Sequence, residues 1–141
     1  MTAKKDYKKI VLPEKYVPKK TEKYMCDEQK AFFYQMLMDE RRELEDEIES
    51  FSKEANLGQK MGSLGAMDEG DAATLAMDTD LNIKMQELKT GLLESVDFAL
   101  KRLEDGTYGY SVLSGDEIGL KRLMVRPTAK LTTEEKEDAE R

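Results

Sequence analysis

Two stretches of roughly thirty residues repeat apolar side chains at helical spacing on a densely charged background, and a glycine-bearing break separates them. In the first, from about Asp27 to Ala55, Phe33, Leu37, Leu44, Ile48, Phe51 and Ala55 follow at steps of four, seven, four, three and four. In the second, from roughly Asp71 to Leu103, Leu81, Met85, Leu88, Leu92, Val96, Ala99 and Leu103 recur every three or four residues, with Ser95 interrupting. Each pattern predicts a long helix with one apolar stripe, and two such stripes joined by a turn are buried most simply against each other. The expectation is an antiparallel coiled-coil hairpin. Gly58, Gly62, Gly65 and Gly70 place its turn between Asn56 and Gly70, with a tip at about residues 56–73. At about 1.5 Å per residue the helices make an arm on the order of 40–50 Å long.

The flanks read differently. Residues 1–24 hold Pro13, Pro18 and eight lysines against three acids, which predicts a basic, mostly irregular arm that serves as a solubilising tail. The second helix is expected to stop at Asp105 and Gly106. After it, glycines at 106, 109, 115 and 119 predict short turns and a small hairpin, with Tyr108, Tyr110, Val112, Leu113, Ile118, Leu120, Leu123 and Val125 as the apolar set. Thr132 followed three residues later by Glu135 has the spacing of a capping box, so a short polar helix closes the chain. The fold class expected is mainly α: a hairpin over 25–105 and a small globular head over 106–141 with a C-terminal helix.

Charge and composition narrow the function. Residues 25–105 carry nine basic against twenty acidic side chains, and the whole 141-residue chain is at −7. An acidic body repels phosphate backbones, which argues against direct nucleic-acid binding by the hairpin. There is no histidine, and Cys26 is the only cysteine, so zinc sites, catalytic triads and an internal disulfide are not expected. The absence of a long apolar run points to no membrane span and a cytoplasmic setting. Cys26 is expected half-buried near the start of the first helix, as a small residue and not a redox sensor.

The turn region ends in Asp68-Glu69-Gly70-Asp71-Ala72-Ala73. Taken alone, an Asp before a helix caps free N–H groups, worth about 1 kcal/mol. Downstream stand Gly109-Tyr110, Gly115, Glu117-Ile118-Gly119, Arg122-Leu123 and Arg126-Pro127-Thr128-Ala129. On these residues the sequence resembles the DksA/TraR family, from about Tyr24 to the C-terminus and most specifically over residues 109–131. The resemblance implies a transcription factor that binds bacterial RNA polymerase, puts its coiled coil through the secondary channel, and does not read promoter sequence. The family's tip motif matches Asp68, Asp71 and Ala73, which it implies act on initiation complexes. No covalent chemistry is implied, so the chain is not read as an enzyme.

In the family's head four cysteines hold a structural zinc, and here those places read Ser111, Ser114, Thr132 and Glu135. Three hydroxyls and a carboxylate do not replace thiolates in a tetrahedral site, so a zinc-free variant is expected. Thr132 and Glu135 would cap the last helix, and Tyr108, Tyr110, Val112, Ile118 and Leu131 would enlarge the core instead. Some relatives act with the alarmone ppGpp, and Leu92, Arg126 and Lys136 resemble that site. A lysine expected there corresponds to Ser95, which removes one phosphate-neutralising charge and implies weakened synergy. The rival readings are a Gre-like transcript-cleavage factor in the same channel and a structural coiled-coil adaptor whose stripe faces a second chain. A monomer is expected, because the stripe is satisfied internally.

Overall fold

The structure is a computed structural model that describes residues 7–63 and 68–140. In chain order the elements are a 3-10 turn (Tyr7–Lys9), α1 (Asp27–Ser63), α2 (Glu69–Asp105), α3 (Leu120–Val125) and α4 (Thr133–Ala139). They divide into two compact units: Met1–Glu40 with Ser95–Arg141, and Arg41–Glu94.

In the unit Arg41–Glu94, α1 and α2 run antiparallel, as their cross-helix partners show. Lys89 pairs with Glu47 at 2.6 Å, the Asn82 amide donates to the Phe51 carbonyl at 3.1 Å, and Leu75 lies against Gly58. Partners on α2 fall in number as those on α1 rise. The first helix is eight residues longer than the periodicity implied, running to Ser63 through Gly58 and Gly62. A helical glycine costs about 1 kcal/mol against alanine. At Gly58 that cost has a counterpart, since an added Cβ would meet Leu75 Cδ1 at 3.2 Å. The glycine admits a facing side chain and does not break the helix. Gly70 likewise falls inside the first turn of α2, whereas Gly65 and the rest of residues 64–67 lie outside the described residues.

The stripe on α2 needs correction over the same stretch. Leu81, Leu88 and Leu92 are 61%, 56% and 39% exposed, and the half-buried positions are Leu75, Thr79, Asn82, Met85, Gln86, Lys89 and Leu93. Polar groups occupy this seam. Gln86 donates to Asn82 at 2.7 Å, and Ser52 approaches Gln86 at 3.5 Å, so several facing positions are held by hydrogen bonds and an ion pair in place of leucine.

The other unit holds the denser core. Phe33, Leu37, Val96, Ala99, Leu103, Tyr108, Ile118 and Leu123 are all buried, and Phe33 packs on Tyr108 with ring centroids 5.7 Å apart. The expected core side chain Val112 is 47% exposed, because the loop from Ser111 to Gly115 turns it outward. Only one antiparallel bridge, Tyr110 to Glu117, stands where a small hairpin was expected, and α3 forms where only turns were. Leu120 and Leu123 share the inner face of that short helix. It ends at Arg126, whose place before Pro127 disfavours helical geometry.

Residues 7–24 are mostly irregular, yet they are not a free tail. Pro18 is buried, Tyr7 and Tyr16 pack edge-on against Tyr34 and Phe32, and Lys8 pairs with Glu104 at 3.1 Å. Fully buried Gln29 ties the segment down by accepting from the Met25 N–H at 2.8 Å and donating to the Lys19 carbonyl at 3.2 Å. Tyr24 continues the attachment. Its hydroxyl donates to the Gly109 carbonyl at 2.6 Å and accepts from the Gly119 N–H at 3.0 Å. Gly109, at φ +91°, leaves no room for a side chain there, since a Cβ would stand 3.0 Å from both Met25 and Tyr24.

Candidate functional site

Three groups of residues singled out in the sequence occupy three places. At the start of α2, the Asp68 side chain accepts the Asp71 N–H at 2.8 Å, and its carbonyl accepts the Ala72 N–H at 3.0 Å. One carboxylate oxygen of the pair is therefore spent on capping the helix, as an Asp at that position does. Asp71 in the first turn is exposed, and its carboxylate makes no hydrogen bond or ion pair among the described residues. Ala73 is exposed beside it. The pair thus divides: Asp68 builds the helix end, and Asp71 presents an exposed carboxylate at the positive pole of the helix.

The four positions where the family resemblance implies zinc thiolates come together around Glu135. The Ser111 hydroxyl donates to Glu135 Oε1, and the Thr132 N–H donates to the same oxygen at 2.9 Å. The Thr132 hydroxyl accepts the Glu135 N–H at 3.2 Å, completing the capping box of α4. Ser111 Oγ also accepts the N–H groups of Leu113 and Ser114, at 3.1 and 3.3 Å. This donor set does not fit zinc, because its one carboxylate is engaged by Ser111 and Thr132 and the remaining groups are weak hydroxyl ligands. Among the described residues no group of three or more His, Cys, Asp or Glu is placed to hold a metal ion.

The hydrogen bond from Ser111, followed by that from the Thr132 N–H, lowers the Glu135 pKa from 4.5 to about 2. A carboxylate whose pKa is depressed by folding stabilises the folded chain fully above its unfolded value, and the contribution is lost as pH falls through the folded value. Acid denaturation of Glu135→Gln should therefore be flatter than that of the wild type between about pH 4.5 and pH 2, from a lower plateau at neutral pH. Equal slopes for the two proteins in that window, read by circular dichroism, would remove Glu135 from the account.

The third group is basic. Arg126 and Lys136 line one cleft of about 380 Å³ together with Ser95, Arg122 and Lys130. Arg122, which in the sequence stands out only as part of the Arg122-Leu123 dipeptide, is fixed by donation from its Nε to the Leu131 carbonyl at 3.0 Å. Among the described residues its two terminal nitrogens make no hydrogen bond and can reach an anion. Leu92 belongs to the unit Arg41–Glu94 and is 39% exposed. Buried Arg102 was also missed. Its guanidinium donates to the carbonyls of Thr107 (2.8 Å) and Tyr110, closing the turn after α2, and nothing in its spacing distinguishes it from a surface arginine.

No family model matches the chain. Individual relatives do. The RNA polymerase-binding transcription factor DksA of Caulobacter vibrioides is 35% identical over 133 residues, covering 93% of this chain and 91% of that protein. General stress protein 16O of Bacillus subtilis is 34% identical over 119 residues, 82% of this chain and 71% of its own. Among solved structures, that of transcription factor DksA2 from Pseudomonas aeruginosa matches with a TM-score of 0.75 at 36% identity, over 83% of this chain and 87% of that one. Identity at this level along nearly the whole length of both proteins, together with a structural match of that extent, leaves one conclusion: the chain belongs to the DksA/TraR family.

Proposed function

We propose that this protein is an RNA polymerase-binding transcription regulator that enters the secondary channel and acts on initiation complexes through the carboxylates at the start of α2. The observation that carries the reading is kinship with DksA proteins over nearly the full chain, in a sequence that keeps Asp68, Asp71 and Ala73. The exposed Asp71 carboxylate, which has no hydrogen bond or ion pair among the described residues, supports the role, because an acid already consumed by a cap or an ion pair would have little left for a partner. The work is done by binding, without catalysis, by a monomer that needs no zinc and reads no promoter sequence. The setting is the cytoplasm, and no helix among the described residues is long and apolar enough to cross a membrane.

The alarmone ppGpp is the candidate co-effector, at Leu92, Arg126 and Lys136. Ser95 in place of a lysine lowers the local positive charge, so synergy is weaker than in lysine-bearing relatives. Two measurements test the main reading. Core RNA polymerase should retain the protein in a pull-down. Asp71→Asn should bind polymerase as before yet lose most of its effect on transcription from a sensitive promoter. Full activity of that variant would reject the role of Asp71, and shortening of RNA in a backtracked complex would move the protein to the cleavage factors.

A further inference from the structure

The seam of the hairpin leaves leucines of α2 outside it. Asn82, Gln86 and Lys89 face α1, through contacts to Phe51, Ser52 and Glu47, while Met77, Leu81, Leu88 and Leu92 stay exposed. Those four follow at steps of four, seven and four. At about 100° per residue they fall within an arc of roughly 60° on the helix surface, about 120° round from the seam. A rotation of α2 by that amount about its own axis would bury the leucines against α1 and return the amides to water. For a hairpin that stands alone, burying leucine in place of asparagine, glutamine and lysine is the favoured exchange. Because the polar groups hold the inside instead, the apolar stripe is left for a partner.

The border of the stripe selects the occupant. Asp80, Glu87 and Glu94 recur every seven residues along one side of it, all exposed and none in an ion pair among the described residues. Between Asp71 and Glu94 the bases are Lys84 and Lys89, and Lys89 is already paired with Glu47. Gly91 keeps the surface low for a close approach, since a Cβ added there would meet nothing within 4 Å. In heptad terms Leu81 and Leu88 hold position a, Met85 and Leu92 position e, and the three acids position g. A second copy of this chain matches that border poorly. Antiparallel copies oppose acid to acid, and parallel copies set the acids against Met85 and Leu92, so neither arrangement forms an ion pair there. Anionic lipid headgroups and nucleic acid are repelled by the same row of acids.

We propose that the outer face of α2 from Met77 to Leu92 docks a basic amphipathic helix of a partner protein, with an apolar stripe laid on Leu81 and Leu88 and lysine or arginine side chains opposite Asp80, Glu87 and Glu94. The span sets the length of that helix. From Met77 to Leu92 the face covers about 23 Å at 1.5 Å per residue, which a helix of about sixteen residues matches. Apolar contact supplies the attraction, read at helical spacing as in other helix-on-helix recognition. The row of acids fixes the register and rejects a helix with an acidic border. The basic cleft of the head takes no part. This inference does not depend on polymerase binding, and its test contains no polymerase.

Two designed peptides of about twenty residues, helical in isolation through alanine at their outer positions, carry the same leucine stripe, one bordered by lysine and the other by glutamate. Each is titrated calorimetrically into the full chain at about 0.15 M salt, where diffuse attraction between charged surfaces is screened. Saturable one-to-one binding of the lysine peptide is expected, weakened about tenfold or more in Leu81→Ser/Leu88→Ser and about threefold in Asp80→Asn/Glu87→Gln. The glutamate peptide should bind about tenfold more weakly than the lysine peptide. Binding should be unchanged in Ile83→Ser, which alters an exposed apolar residue of the same helix off the stripe. Leu81 and Leu88 are exposed, so their double variant should melt with the wild type. Failure of the lysine peptide to saturate overturns the proposal, as does equal binding of the two peptides or a loss in Ile83→Ser equal to that in the leucine variant. Sedimentation of the wild type alone should give a monomer. A dimer that Leu81→Ser/Leu88→Ser abolishes would assign the stripe to a second copy and overturn the proposal as well.

Discussion

Replacing Phe33 by alanine should destabilise the protein by about 3–5 kcal/mol, whereas replacing Leu88 by alanine should change stability by no more than about 0.5 kcal/mol. The two residues have equal standing in the apolar repeat. Their surroundings differ: Phe33 is 0% exposed, with its ring edge-on to Phe32 and tilted against Tyr108, while Leu88 is 56% exposed. Truncating Phe33 leaves a cavity walled by rigid neighbours, and the Tyr108 hydroxyl, bonded to the Pro127 carbonyl at 2.7 Å, resists collapse into it. Truncating Leu88 removes surface that water already covers. Chemical denaturation of both variants reads the contrast, with a drop in melting temperature on the order of 10–20 °C for Phe33→Ala. A Leu88→Ala loss comparable to that of Phe33→Ala would mean that the seam of the hairpin is built from the leucines after all.

That contrast also marks where periodicity stops being informative. Spacing reports that apolar side chains share a face, and it located both long helices and the buried set Phe33, Leu37, Val96, Ala99 and Leu103. It does not report which face meets the neighbour. Along α2 the seam is taken by Asn82, Gln86 and Lys89, whose partners Phe51, Ser52 and Glu47 lie on the other helix and leave no trace in the spacing of α2 itself. The end of α1 is hidden from spacing for a related reason: Gly58 reads as a breaker only while Leu75 is out of view. Docking of the N-terminal segment was equally hidden, because it depends on fully buried Gln29 and on bonds from Tyr24 to residues more than eighty positions away. Local signals fared better. The capping box at Thr132 and Glu135 was visible because both its hydrogen bonds span three residues, and the cap at Asp68 for the same reason. What the sequence could not disclose is that Ser111, twenty-four residues from Glu135, donates to that same capping carboxylate.

Restoring cysteine at all four of these positions should turn a hydrogen-bonded junction into a metal site. In Ser111→Cys/Ser114→Cys/Thr132→Cys/Glu135→Cys the pairs have the two-residue internal spacing and intervening length of a four-cysteine zinc site. The backbone already brings them together, since the loop at Ser111 and the first turn of α4 are held by one shared carboxylate. One zinc per chain should bind, and because thiolate ligation of zinc contributes on the order of 10 kcal/mol to small domains, a strong chelator should collapse the melting temperature of that variant. The wild type should melt at the same temperature with or without the chelator, because Ser111, Thr132 and Glu135 satisfy one another in its absence. The variant without zinc serves as its own control: it lacks both the metal and the Glu135 carboxylate, so it should melt below the wild type. A quadruple variant that takes up no zinc would show that the two turns are too far apart for a shared ion. A chelator-sensitive wild type would show that the hydroxyls and carboxylate are not the whole of what holds the head together.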